Sequence, residues 1–185
     1  MSPSRPVVIF YDSNFPISAS LEVPTAKLTA QGAILVNADS LAEVLRQAEG
    51  GCFVNLHAPY FPKSAWQDIL AFLKRGGGLL SVGGAAFKRP VCREGDGWQV
   101  ETEQTAYHQQ LFIHEMLRVE SSPILSYAAL DTLPLLKGQE SLFAVADTWN
   151  MVPHTTRNSD LPHQMGAAGT MSTQIYPLLK GISKE

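Results

Sequence analysis

Charge is what this sequence has least of. Lysine, arginine, aspartate and glutamate make up 17% of its 185 residues, against about 25% in an average soluble domain. Fourteen basic residues face seventeen acidic ones, for a net charge of −3. That excludes the clustered positive charge on which nucleic-acid binding depends. No apolar run approaches the ~20 residues of a membrane-spanning helix, so no membrane partner is expected. After Met1-Ser2-Pro3-Ser4-Arg5-Pro6, only Val7 to Tyr11 are apolar or aromatic. This is too short for the ~7–15-residue core of a signal peptide, and no small-residue cleavage site follows. The two cysteines, Cys52 and Cys92, cannot make a disulfide framework. They read as idle or buried thiols in a reducing, cytoplasmic compartment. A chain so short of charge either has a deep core or hides part of its surface against another body.

Apolar residues, at 45%, are plentiful enough for a core, and 14 glycines and 12 prolines supply the turns. The length suits one domain, 1–185. The first eighty residues alternate regularly. Val7 to Tyr11 is a continuous apolar run, as in a strand covered on both faces. Residues 18–31 read as a helix, with Leu21, Ala26, Leu28 and Ala30 apolar, Pro24 near its true start and Gly32 as its stop. Ala33 to Val36 is a second strand. Asp39 or Ser40 can cap a helix bearing Leu41, Val44, Leu45 and Ala48 at helical spacing. Cys52 to Leu56 is a third strand. Pro62 opens a third helix with Trp66, Ile69, Leu70 and Leu73 on one face. Gly76-Gly77-Gly78 ends it, and Leu79 to Val82 is a fourth strand. Four strands alternating with three helices predict an α/β fold: a three-layer parallel sheet with helices on both faces.

The second half is less regular. Gly95-Asp96-Gly97, flanked by Val91-Cys92 and Trp98-Gln99-Val100, predicts a hairpin. Residues 104–117 fit a helix, and Leu142 to Ala146 a strand. Residues 150–174 are polar and aperiodic. Pro134-Leu135-Leu136-Lys137-Gly138 recurs as Pro177-Leu178-Leu179-Lys180-Gly181, which reads as two similar turns before two strands. Only Ile182-Ser183-Lys184-Glu185 follow the second copy, so the chain reads as a segment of a longer protein.

The strand ending in Asp12, the Asn55-Leu56-His57-Ala58-Pro59 turn, and the stretch Leu73-Lys74-Arg75-Gly76-Gly77-Gly78-Leu79-Leu80-Ser81-Val82-Gly83-Gly84 together resemble the class I glutamine amidotransferase-like fold, a flavodoxin-like layout, over residues 7–150. The two Pro-Leu-Leu-Lys-Gly segments resemble those of versions attached to glycoside hydrolases, such as β-galactosidase trimerisation-type domains. The resemblance implies an accessory role beside flanking domains of a carbohydrate-active parent, with a homo-oligomer or a carbohydrate as further partners. Catalytic members of the family carry a cysteine at the sharp turn after the fourth strand. Here that turn reads Gly83-Gly84-Ala85-Ala86, which offers no attacking atom. The resemblance therefore implies the fold without its usual chemistry.

Ligands of open α/β sheets collect at the carboxyl ends of the strands. Asp12, Asn14, His57, Tyr60, Gly83, Gly84 and Asp147 are expected at that rim. Tyr60, Trp98 and Trp149 could serve as aromatic platforms for a sugar ring, with Asp12 and Asn14 bonding its hydroxyls. Asp12 and Asn14 could equally shape a turn or cap the next helix. A hydrolase or transferase would use Asp12, His57 and His114 or Glu115 for proton transfer. The histidines show no metal-ligand spacing: His114-Glu115 lacks the second histidine of a zincin helix, and His108 and His114 are six apart. Gly78 to Gly83 has the glycine spacing of a phosphate loop, but Gly84-Ala85 stands where Lys-Ser/Thr belongs. No metal or cofactor is expected. The segment from Trp149 to Gly169 holds Trp149, Met151, His154, Arg157 and Met165, residue types enriched at interfaces. It reads as a loop docked on a partner or folded over its own sheet edge.

Overall fold

The computed structural model describes residues 5–17 and 23–111, and the backbone of four strands in the remainder. The chain divides into two compact units, Met1–Leu111 and Phe112–Glu185. The first runs β1 (Val7–Phe10), α1 (Thr25–Ala30), β2 (Ile34–Val36), α2 (Leu41–Gln47), β3 (Cys52–Asn55), β4 (Tyr60–Pro62), a 3-10 turn (Lys63–Ala65), α3 (Trp66–Lys74), β5 (Gly78–Ser81), β6 (Arg89–Glu94), β7 (Gly97–Val100) and α4 (Ala106–Gln109). The expected α/β architecture is present: a four-stranded sheet ordered β2-β1-β3-β5, parallel throughout. For this strand order the right-handed connection rule assigns α1 to one face and α2 and α3 to the other.

Burial follows that division. On the α2/α3 face Val8, Phe10 and Phe53 are fully buried beneath Leu41, Leu45, Ile69 and Phe72. Each such side chain contributes about 1.5–3 kcal/mol by leaving water. Arg75 reaches across from the end of α3 to donate to the Leu45 carbonyl at 2.9 Å, satisfying an open carbonyl near the end of α2. The opposite face is thinner, because α1 has no buried residue. Ile9, Val54 and Leu80 are register partners on that face. Ile9 and Val54 are buried, but Leu80 at the sheet edge is 52% exposed and Val7 40%.

Several local expectations change. Pro62 does not open the third helix. It ends β4, the edge strand of a second sheet ordered β4-β6-β7, where its missing N–H costs no ladder bond. The helix begins at Trp66 after the 3-10 turn. The first helix covers Thr25–Ala30 of the predicted 18–31; residues 18–22 lie outside the described residues. Ser40 stands at the N-cap of α2, but its side chain bonds Asn37 instead of the helix. The hairpin is present as β6 and β7.

In the second unit, β8 (Glu115–Val119) pairs antiparallel with β10 (Asn150–His154), and β9 (Ile124–Ala129) with β11 (Leu179–Ser183). The helix predicted over 104–117 is therefore corrected. Among its described residues Ala106–Gln109 are helical, and Glu115 lies on a strand. Pairing with Asn150–His154 satisfies that backbone and overrides the local helical spacing. The aperiodic stretch is likewise a strand at its start, so Met151 and His154 sit on β10 and not in a loop. Pro153 is tolerated there because β10 is the edge of a two-stranded ribbon. In the second Pro-Leu-Leu-Lys-Gly copy, Leu179 to Gly181 belong to β11 and do not precede it. The first copy and the predicted strand 142–146 lie outside the described residues.

Candidate functional site

The strand order reverses between β1 and β3, since β2 follows β1 on one side and β3 on the other. Their carboxyl ends flank the crevice where such sheets bind ligands. Asp12 follows β1 and His57 follows β3, and the structure brings them together. The Asp12 backbone N–H donates to His57 Nε2 at 3.0 Å, and His57 Nδ1 lies 3.0 Å from the Pro16 carbonyl oxygen. The imidazole is 1% exposed. Phe10, Tyr11 and Phe15 surround it, with ring centroids at 4.7, 5.9 and 5.3 Å. Burial is the main cause that pushes its pKa below the ordinary histidine value, against the Pro16 hydrogen bond and the Asp12 carboxylate, which both favour the cation.

The neighbouring groups are turn formers. Asp12 Oδ1 accepts from the Asn14 N–H at 3.0 Å and Oδ2 from the Ala38 N–H at 3.3 Å. Asp12 thus ties the segment after β1 to the one after β2, and Asn14 is exposed. Asn55, fully buried, accepts from the His57 N–H at 2.9 Å and donates to the Tyr60 carbonyl at 3.0 Å. Tyr60 is half-buried at the start of β4. Gly83 and Gly84 form the turn after β5. Gly83 has φ 100°, and a methyl on Gly84 would come within 3.1 Å of Pro59 Cδ. The two turns thus meet backbone to backbone, and Asp12, His57, Tyr60 and Gly84 form one contiguous rim.

The β6–β7 hairpin reaches this rim. The Trp98 ring packs edge-on against Phe15 at 5.0 Å. Its face carries the Arg93 guanidinium at 4.4 Å, and Arg93 also pairs with Asp39 at 3.2 Å. The aromatic platform expected at Trp98 is therefore occupied by the protein's own residues.

Neither cysteine stands at the Gly83 turn. Cys52 begins β3, at the opposite end of the sheet, and burial raises its pKa. Cys92 lies on β6 and donates to Glu101 Oε1 at 3.0 Å. That hydrogen bond to a carboxylate raises the thiol's pKa, with burial adding to it. Glu101 in turn is held below the usual carboxylate range by Lys63, at 2.6 Å, and then by Cys92. An activated thiol has a depressed pKa, whereas here the carboxylate bonded to Cys92 outweighs the nearby Lys63. Both thiols are free.

Matched against protein-family models, curated proteins and solved structures, the chain finds no counterpart in any of the three.

Among the described residues, no three His, Cys, Asp or Glu side chains converge as metal ligands, and no helix is long and apolar enough to cross a membrane. Of the remaining sequence candidates, Glu115 lies in the second unit, with His154 as its register partner. Met151 is opposite Arg118. His114, Asp147, Trp149, Arg157 and Met165 lie outside the described residues. Sequence reasoning missed Asn55, Phe15 and the Pro16 carbonyl, the groups that fix His57. Asn55-x-His57, the same Asx spacing as Asp12-x-Asn14, was the readable signal for the first. No pattern announces the other two, because they meet His57 only once the segment after β1 folds back.

Proposed function

We propose that the chain is a catalytically silent, amidotransferase-like accessory module of a larger carbohydrate-active protein, working by scaffolding, oligomerisation or shaping a neighbouring active site. The observation that carries the silence is the state of His57. Both ring nitrogens are committed to backbone groups, so the imidazole has no nitrogen left to move a proton for a substrate. Glycines occupy the turn where the family's nucleophile stands, and the Cys92 thiol, bonded to Glu101, has its pKa raised and so favours the protonated form. The strand order β2-β1-β3-β5 supports a flavodoxin-like layout, whose order begins 2-1-3-4. Two free thiols suit a reducing, cytoplasmic setting. The carbohydrate association rests on the resemblance of the two Pro-Leu-Leu-Lys-Gly segments.

The competing hydrolase reading, through Asp12, His57 and His114 or Glu115, needs the imidazole nitrogen that His57 does not offer. On Asp12 a sugar hydroxyl would share oxygens whose orientation the amides of Asn14 and Ala38 already fix for the turn. The test is direct. The full chain is incubated with glutamine and with aryl glycosides, and its mass is followed by light scattering at micromolar concentration. The expected result is no ammonia, no released aglycone, and a mass above the monomer or a complex with the parent's other domains. Turnover of either substrate, or a strict monomer indifferent to those domains, would sink the proposal.

A further inference from the structure

The partners of His57 fix its protonation state. A backbone amide can only donate, so Nε2, facing the Asp12 N–H at 3.0 Å, holds a lone pair and no proton. A carbonyl can only accept, so Nδ1, 3.0 Å from the Pro16 oxygen, carries the proton. Both partners belong to the 11–17 segment, whereas His57 belongs to the turn after β3. One neutral ring therefore stitches two separate segments across the crevice. A second proton would have to enter at Nε2, where it meets the Asp12 N–H head-on with water excluded.

The groups around the ring do not remove this conflict. From the 11–17 segment come the Asp12 carboxylate and the Tyr11 ring, and from β1 the Phe10 ring. From its own turn, Asn55 holds the His57 backbone N–H. Among the described residues Asp12 is the one charge acting on the ring, and its oxygens are engaged by the amides of Asn14 and Ala38.

We propose that His57 is an acid-sensitive latch: its neutral ring closes the 11–17 segment over the carboxyl ends of β1 and β3, and protonation at Nε2 lets that segment swing away. Opening uncovers Phe10 and the His57 ring, which now lie against each other under the segment, and leaves an apolar crevice at the switch point of the sheet. The rim is closed at neutral pH and becomes a cleft in acid.

The direction of the linkage follows from the two states. In the open state the hydrated imidazole titrates near its ordinary value of about 6.5, and in the closed state it titrates lower. Above that value both states are neutral and the latch is fully engaged. Below it the open state binds a proton that the closed state refuses. The open fraction then rises roughly tenfold per pH unit, until the closed ring itself protonates.

The test uses the full chain and hydrogen exchange read by NMR between pH 7.5 and 5, expressed as protection factors so that the intrinsic rate divides out. The Asp12 amide should lose protection roughly tenfold per unit below about pH 6.5, while the Ile9 amide in β1 stays constant. His57→Gln keeps an acceptor for Asp12 but does not titrate, and should flatten the Asp12 profile. The wild-type profiles decide the matter even if that variant fails to fold. Asp12 protection that stays level, or that falls only in step with Ile9 as the whole unit unfolds, overturns the latch. Neither result bears on turnover or mass, so the accessory proposal stands or falls separately.

Discussion

Phe87 sits at φ 56°, in the left-handed region that a bulky side chain rarely adopts, and yet it is fully buried. Its ring lies 5.4 Å from Phe61 and 5.1 Å from Trp66, inside an aromatic cluster that Tyr107 completes. Packing there outweighs a backbone cost of about 1–2 kcal/mol. Phe87→Ala should therefore destabilise the first unit by about 3–5 kcal/mol in urea unfolding. Phe87→Gly should be the milder change by roughly 0.5–1 kcal/mol, because glycine relieves the backbone. Equal or reversed losses would show that the backbone carries no strain. His57 teaches the complementary lesson. Its position on the rim was legible, since a strand-end turn after Asn55 could be read directly. Its role was not, because the Asp12 amide and the Pro16 carbonyl have no side-chain signature and lie more than forty positions away in sequence.

Elements bounded by glycine were the legible ones. Gly32, Gly50-Gly51 and Gly76-Gly77 break the first unit into strand and helix lengths, and the parallel sheet follows from them. Gly51 shows why the residue is needed. Its φ is 93°, and a methyl there would be driven into the Pro6 carbonyl, the acceptor of the Cys52 N–H at the start of β3. Gly51→Ala should cost about 1–3 kcal/mol, read as a lower urea midpoint with an unchanged slope. A midpoint like the wild type's would mean the β1–β3 junction is looser than described. The elements that sequence misjudged lack such punctuation. Tyr60 to Pro62 is a strand only because Arg89 to Val91 lies beside it, and Glu115 to Val119 only because Asn150 to His154 does. Short strands are made by their partners, and a partner tens of residues away leaves no local pattern.

At the scale of the molecule, the two surfaces of the first unit's sheet differ. One is largely buried by α2 and α3, with Ile34 still exposed on the edge strand, and the other leaves Leu80 and Val7 exposed beside α1. The shortage of charge noted in the sequence is partly met by the buried face, and the proposed association would draw on the exposed one. Leu80→Lys should lower the light-scattering mass at micromolar concentration while leaving the melting temperature within a degree or two, since the side chain is already half in water. An unchanged mass would contradict association through this face. The account as a whole depends on a rim that is closed to chemistry, and the nitrogen-15 shifts of the His57 imidazole at neutral pH report on that most directly. The account predicts one protonated nitrogen, Nδ1, and one bare nitrogen, Nε2, in slow exchange with solvent. An Nε2–H tautomer, or a rapidly averaged pair titrating near the ordinary histidine value, would leave a nitrogen free for a substrate and contradict it.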